Sequence, residues 1–177
     1  MKEIEIKFPV KDLWVYRKKL RNSNALRKAS FFEDNIVFDN EAGTLKSQGK
    51  LLRLRKGDRV TLTAKNPLEK SRFKVMDEHE VEVSDFDETN KILSVLGLYP
   101  VFRYQKNREI YEINDTYVLL DETPIGNFIE IEGERDRIVD TAHILGLSME
   151  NGLADNYREL YLEYCRKKGI TPSDMVF

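Results

Sequence analysis

In the stretch Lys2-Glu3-Ile4-Glu5-Ile6-Lys7-Phe8, charged and apolar residues alternate without a break from Glu3 onward. That is the period of a β-strand, not of a helix. Side chains two apart on a strand share a face and lie about 6.5–7 Å apart along it. Glu3, Glu5 and Lys7 therefore point one way, and Ile4, Ile6 and Phe8 the other. The pattern returns at Glu80-Val81-Glu82-Val83 and at Ile129-Glu130-Ile131-Glu132. Each copy leads into a helix-like segment, and the two later segments end in Leu-Gly-Leu, at 96–98 and 145–147. The three copies form a weak internal repeat of strand then helix.

Basic residues obey the same parity. Arg53 aligns with Arg55 in the run 51–56, and Thr61 and Thr63 align with Lys65. Arg72 aligns with Lys74, and Lys106 with Arg108. One such strand is ordinarily the solvated face of an antiparallel sheet, with cross-strand charge pairs adding a few tenths of a kcal/mol. Three acidic pairs and four basic groups in one chain ask for more. Strand-like stretches occupy 2–8, 31–39, 51–56, 60–65, 72–75, 78–84, 102–113, 117–122 and 127–132, and helical periodicity occupies 10–22, 86–97, 135–145 and 154–168. The mixture is α+β with short turns. A sheet of about eight strands curls and tends to close. The predicted fold is a closed, mostly antiparallel eight-stranded β-barrel covered outside by about four helices. It forms one domain over 1–177. With apolar faces under the helices, the charged faces line the lumen.

The chain has 177 residues, with 29 basic against 31 acidic side chains and a net charge of −2. That balance argues against a general nucleic-acid or anionic-membrane binder. Cys165 is the only cysteine, so no intrachain disulfide is available. Residues 1–20 lack the apolar core of a signal peptide and no apolar run is long enough to span a bilayer, which leads to the expectation of a cytoplasmic protein.

Inside such a lumen the basic set is Lys7, Arg53, Arg55, Lys65, Arg72, Lys74, Lys106 and Arg108. The acidic set is Glu3, Glu5, Glu80, Glu82, Glu130 and Glu132, with Asp121 if it points inward. A buried, unpaired carboxylate costs several kcal/mol, so opposite charges or bound ions must compensate. The two sets nearly cancel. The fitting ligand carries both signs in separate places, as a triphosphate with divalent metals does. Guanidinium forks clasp phosphate oxygens. Carboxylates bind Mg²⁺ or Mn²⁺, hard ions that prefer oxygen.

With these residues in order, the sequence resembles the CYTH superfamily, which groups class IV adenylate cyclases with thiamine triphosphatases. The resemblance rests on Glu3-Ile4-Glu5-Ile6-Lys7, on EDNIVFD (33–39), LLRLR (51–55), LTAK (62–65), EVEV (80–83), KNR (106–108), LDETPIGNFIEIE (120–132) and NYRELYLEY (156–164). It spans nearly the whole chain. It implies the triphosphate-tunnel barrel, with Glu3, Glu5, Glu80, Glu82, Asp121, Glu130 and Glu132 as metal ligands or their neighbours. It implies that Lys7, Arg53, Arg55, Lys65, Lys106 and Arg108 hold phosphates. Arg72 and Lys74 are added from the strand pattern. Glu3, Glu5, Lys65, Glu130 and Glu132 are the expected catalytic group. Two departures stand out: Asn156 replaces a commoner Ser before Tyr157, and the turn at 123–127 lacks a Pro-Gly pair.

The resemblance leaves two reactions open on the same parts. In a cyclase the ribose 3′-hydroxyl attacks the α-phosphorus of ATP and pyrophosphate leaves, which is the first expectation. In a hydrolase water attacks the terminal phosphorus of tripolyphosphate or thiamine triphosphate. A non-catalytic polyphosphate or nucleotide binder is a third reading. A lipocalin-like apolar carrier is disfavoured, because its inward positions would be apolar. A homodimer is compatible with the sequence. His79 and His143 are expected on a surface or a helix, Cys165 in the last helix, and Trp14 packed where the first helix covers the barrel. Tyr157 is expected either to pack its helix or to cap one tunnel end. Residues 40–50 are expected to form a mobile loop near a mouth, and 66–74 a segment able to close on the ligand.

Overall fold

The alternating run at the start of the chain forms a strand, β1 (Lys2–Val10), in a computed structural model that describes residues 1–177. It is followed by α1 (Leu13–Asn22), β2 (Leu26–Asp39), α2 (Thr44–Ser47), β3 (Leu51–Lys56), β4 (Val60–Lys70) and β5 (Lys74–Glu82). Then come α3 (Phe86–Val95), β6 (Tyr99–Ile113), β7 (Thr116–Thr123), β8 (Gly126–Glu132), α4 (Arg135–Leu145), a single 3₁₀ turn at Met149–Asn151, and α5 (Tyr157–Lys168). The eight strands pair antiparallel in the order β1-β5-β4-β3-β2-β6-β7-β8, and β8 pairs with β1 again, so the sheet is a ring. The three strands of the internal repeat are ring neighbours, in the order β5, β1, β8.

Parity puts the apolar faces outside the ring, where helices cover them. Ile4, Ile6 and Phe8 of β1 and Ile129 and Ile131 of β8 pack with Leu13 and Leu20 of α1 and with Ile138, Ala142 and Leu145 of α4. Each such buried Ile, Leu or Phe side chain contributes about 1.5–3 kcal/mol. A smaller cluster lies under α3, where Leu93 meets Phe38 and Leu54. Helix ends follow the sequence signals. Gly146 and Gly169 adopt left-handed C-caps at φ of 65° and 68°, where a side chain would be strained.

Ladder bonds between neighbouring strands lapse twice, and loops fill in. β1 pairs with β5 only over Lys2–Glu5. Beyond that point the Leu153 backbone takes over, exchanging N–H···O bonds of 2.9 and 2.7 Å with Lys7. The first half of β6 has no β7 partner. There the Met175 N–H donates to Arg103 O and the Gln105 N–H to Met175 O, both at 2.9 Å.

Several expectations need correction. The stretches 72–75 and 78–84 are one strand, β5, because Lys74–Glu82 is held continuously by β4. The 40–50 segment holds a helical turn, α2, whose N–H groups at Leu45 and Lys46 are received by the buried Asp39 carboxylate. There are five α-helices, and α5 does not cover the outside. Its Tyr157, Tyr161 and Cys165 pack on Phe102, Tyr104 and Phe128, which share strand faces with the inward charges. Trp14 is more than half exposed with the Lys18 ammonium over its ring, while Leu13 and Leu20 make the contact assigned to it. His79 and His143 are exposed, on β5 and α4. No helix is long and apolar enough to cross a membrane.

Candidate metal and phosphate site

The ring encloses a cavity of about 650 Å³ lined mainly by its inward-facing charges. Their heights are set by register. Glu5 lies directly opposite Glu132 across the β1–β8 ladder, and Lys7 opposite Glu130. Like charges facing each other are destabilising, and here a third carboxylate joins them. Ligand oxygens of Glu3, Glu5 and Glu132 all lie within 4.8 Å of one another. Burial, with Glu5 adding to it, raises the Glu3 carboxyl to about 7. Burial and the charges of Glu5 and Glu3 raise Glu132 to about 8. Burial opposes ionisation of Glu5 as well, but the Lys74 and Lys7 ammonium groups outweigh it and hold Glu5 well below the usual carboxylate range. Three convergent oxygen donors under mutual repulsion fit a hard divalent cation such as Mg²⁺ or Mn²⁺.

Cations stand beside this trio. Lys74 donates to Glu5 at 2.8 Å, and Lys65 to Glu3 at 2.5 Å with Glu78 at 3.0 Å. Arg53 and Arg55 extend from β3. Arg53 donates to Thr63 Oγ1 at 3.3 Å and to the Tyr104 hydroxyl at 3.4 Å. Arg55 reaches Glu80 at 3.3 Å and Glu33 at 3.4 Å. The buried Arg53 Nε–H has no partner, nor does the buried Asn35 Oδ1. A donor left without an acceptor in a charged cavity is what an incoming phosphate oxygen satisfies.

A third group forms the floor. Asp121, with no solvent exposure, accepts from Arg108 at 2.7 and 2.6 Å, from Lys106 at 2.9 Å and from the Tyr157 hydroxyl at 2.6 Å. Glu130 accepts from Arg108 at 2.9 Å and pairs with Lys7 at 3.1 Å. The opposing cations hold Glu130 well below its ordinary value despite its burial. The Tyr157 ring lies under two ammonium groups, Lys7 and Lys106, each 4.8 Å from its centroid. Tyr157 thus both packs α5 and caps one end of the cavity.

The structure therefore sorts the predicted residues. It brings Glu3, Glu5 and Glu132 together, with Lys65, Lys74, Arg53 and Arg55 alongside. Lys7, Lys106, Arg108, Asp121 and Glu130 form an ion-paired floor, so Asp121 and Glu130 stand apart from the carboxylate trio. Glu80 faces the cavity but is held by Thr63 Oγ1 at 2.7 Å and by Arg55. Two expected residues lie elsewhere. Glu82 has the right parity but sits past the start of β1, exposed and paired with Arg59. Arg72 falls in the bend between β4 and β5 and donates to the Met149 carbonyl. Glu33 and Glu78 were not singled out by the sequence, although both point inward and pair with the cations.

The family model described as CYTH domain matches residues 1–165. No curated protein matches the sequence. Among solved structures, a conserved hypothetical protein of Pyrococcus furiosus is 25% identical, with a TM-score of 0.78 over 89% of this chain and 99% of its own. A Vibrio parahaemolyticus protein provisionally named an adenylate cyclase has a TM-score of 0.80 at 21% identity, covering 89% of this chain and 96% of its own. A Hippeastrum protein has a TM-score of 0.61 at 17% identity, covering 96% and 97%.

Proposed function

This chain belongs to the CYTH domain family, and on that premise we propose that it is a divalent-metal-dependent enzyme acting on a triphosphate within a closed tunnel. The observation that carries the reading is the juxtaposition, in one cavity, of the Glu3–Glu5–Glu132 oxygen cluster and the cation row of Arg53, Arg55, Lys65 and Lys74. Glu3, Glu5 and Glu132 would hold Mg²⁺ or Mn²⁺. The metal supplies charge neutralisation on non-bridging oxygens and a lowered pKa for the attacking hydroxyl or water. Arg53 and Arg55 orient the phosphate chain by their forks, and Lys65 and Lys74 exchange their carboxylate partners for phosphate oxygens.

The first reading of the reaction is that of a class IV adenylate cyclase, ATP to cyclic AMP and pyrophosphate. The cavity volume supports it, because about 650 Å³ lies in the range that takes a drug-sized organic ligand. The apolar side chains Val37, Leu51 and Phe102 line the same space. Triphosphate hydrolysis is the second reading. It is favoured by the Hippeastrum relative, provisionally named an adenylyl cyclase and described as having a dominant triphosphatase activity. The protein is incubated with ATP, and separately with tripolyphosphate, in Mg²⁺ or Mn²⁺. Cyclic AMP with pyrophosphate supports the first reading, and orthophosphate from tripolyphosphate the second. Binding by calorimetry with no product at any pH would leave a non-catalytic module and end both.

A further inference from the structure

Glu33 is a carboxylate with no solvent exposure, set among Arg55 of the cation row and Lys106 and Arg108 of the floor. Four donors surround it: Asn35 Nδ2 at 3.3 Å, Arg55 Nη1 at 3.4 Å, Lys106 Nζ at 3.5 Å and Arg108 Nε at 3.7 Å. Arg55, Lys106 and Arg108 line the cavity, whereas Glu33 does not. Its charge acts on the cavity through those three side chains.

We propose that Glu33 is an internal counter-anion that makes binding of a triphosphate contingent on metal, by offsetting the cations that would otherwise draw a bare polyanion. The inference rests on the reading of this cavity as a triphosphate site. A guanidinium already facing a fixed carboxylate attracts a second anion less strongly, and in a partly desolvated cavity that difference is large. The front of the site is acidic too, with Glu3, Glu5 and Glu132 converging. A metal-free polyanion meets carboxylates on one side and pre-neutralised cations on the other. A metal–triphosphate complex meets oxygen ligands for its metal and forks for its phosphates. Glu33 therefore selects the complex over the free anion without touching either.

The test is calorimetric titration of inorganic tripolyphosphate, with Mn²⁺ and separately in EDTA, against wild type, Glu33→Gln and the exposed control Glu82→Gln. Wild type is expected to bind with Mn²⁺ and only weakly in EDTA. Glu33→Gln is expected to gain metal-free affinity by about tenfold or more, and Glu82→Gln, which removes the same charge outside the cavity, is not. Metal-free affinity in Glu33→Gln equal to or below that of wild type would overturn the proposal. No binding to wild type even with Mn²⁺ would instead overturn the triphosphate reading beneath it. Melting curves check that each variant is folded. Should Glu33→Gln fail to fold, Glu33→Asp, which keeps the charge but retracts it from Arg55, is expected to move metal-free affinity the same way by a smaller factor, and an unchanged affinity there would equally overturn it.

Discussion

Glu130 and Glu132 sit two residues apart on β8 and face the same cavity, yet their surroundings assign them opposite behaviour. Glu130 is paired with Lys7 and Arg108, whereas Glu132 faces Glu5 and Glu3. Glu132→Gln removes a carboxyl whose ionisation burial and its two neighbours oppose. Chemical denaturation of the metal-free variant is expected to show unchanged or increased stability, while metal-dependent turnover falls by about two orders of magnitude or more. Glu130→Gln takes the nearest carboxylate from the buried Lys7, leaving it Glu5 at 3.7 Å, and one of the carboxylates of Arg108, and is expected to cost up to about 3 kcal/mol in the same denaturation. Equal stability losses in the two variants would contradict the assignment. Arg55→Ala is expected to raise the Michaelis constant for triphosphate about tenfold, read from initial rates. At this scale the sequence was legible in one dimension. Parity states which face a side chain takes, and Glu3, Glu5, Lys7, Arg53, Arg55 and Lys65 all take the face it assigns. It does not state height along the ring. Height comes from register, and register put Glu82 beyond the start of β1 while bringing Glu132 opposite Glu5. Glu33 was hidden for a related reason: nothing in FFEDNIVFD singles it out until the β2–β3 and β2–β6 ladders bring Arg55, Lys106 and Arg108 around it.

The elements that complete the ring are those with the faintest sequence signals. The loop 152–153 replaces β5 as a partner of β1, and α5 fills a mouth where an outer cover was expected. Periodicity reveals a helix and its apolar stripe but does not name the surface that receives it. Tyr157, Tyr161 and Cys165 suit an outer sheet face as well as the aromatic end of a cavity. The Asn156 departure has a local explanation. Its side chain accepts from Glu159 N–H while Glu159 receives the Asn156 N–H, a reciprocal cap that Ser supports too. Asn156→Ser is expected to alter stability by only a few tenths of a kcal/mol, and Asn156→Ala to cost about 1 kcal/mol in denaturation. Gly152 has a sharper constraint. A Cβ there would collide with Ile6 Cδ1, and Ile6 is fully buried in the cluster shared with α4. Gly152→Ala is expected to push Leu153 off Lys7 and cost about 1–3 kcal/mol, with faster amide exchange at Leu153. Wild-type exchange there would show that the loop has room the packing does not suggest.

Over the whole molecule, interior charge makes stability depend on pH in a direction set by the metal-competent trio. The carboxyls of Glu3 and Glu132 are raised from an ordinary value of 4.5 to about 7 and about 8. Between 4.5 and those values the folded protein holds protons that the unfolded chain has released. The contribution of these two groups is therefore fully present below 4.5 and is lost as pH rises toward 8. Glu5, Glu33 and Glu130 are shifted the other way, so their contribution is present above 4.5 and is lost only as pH falls through their lowered values. In the window from about 5.5 to 8 the first pair governs the slope. In EDTA the melting temperature is expected to fall as pH rises through that window, and the fall should be shallower in Glu132→Gln. Metal binding demands deprotonated ligands and stabilises only the folded state, so Mn²⁺ should raise the melting temperature more at pH 8 than at 5.5. The same three carboxylates would then weaken the empty protein and strengthen the loaded one. A melting temperature that climbs with pH in EDTA would mean that Glu3, Glu5 and Glu132 do not share a repulsive site, and the metal reading would lose its basis.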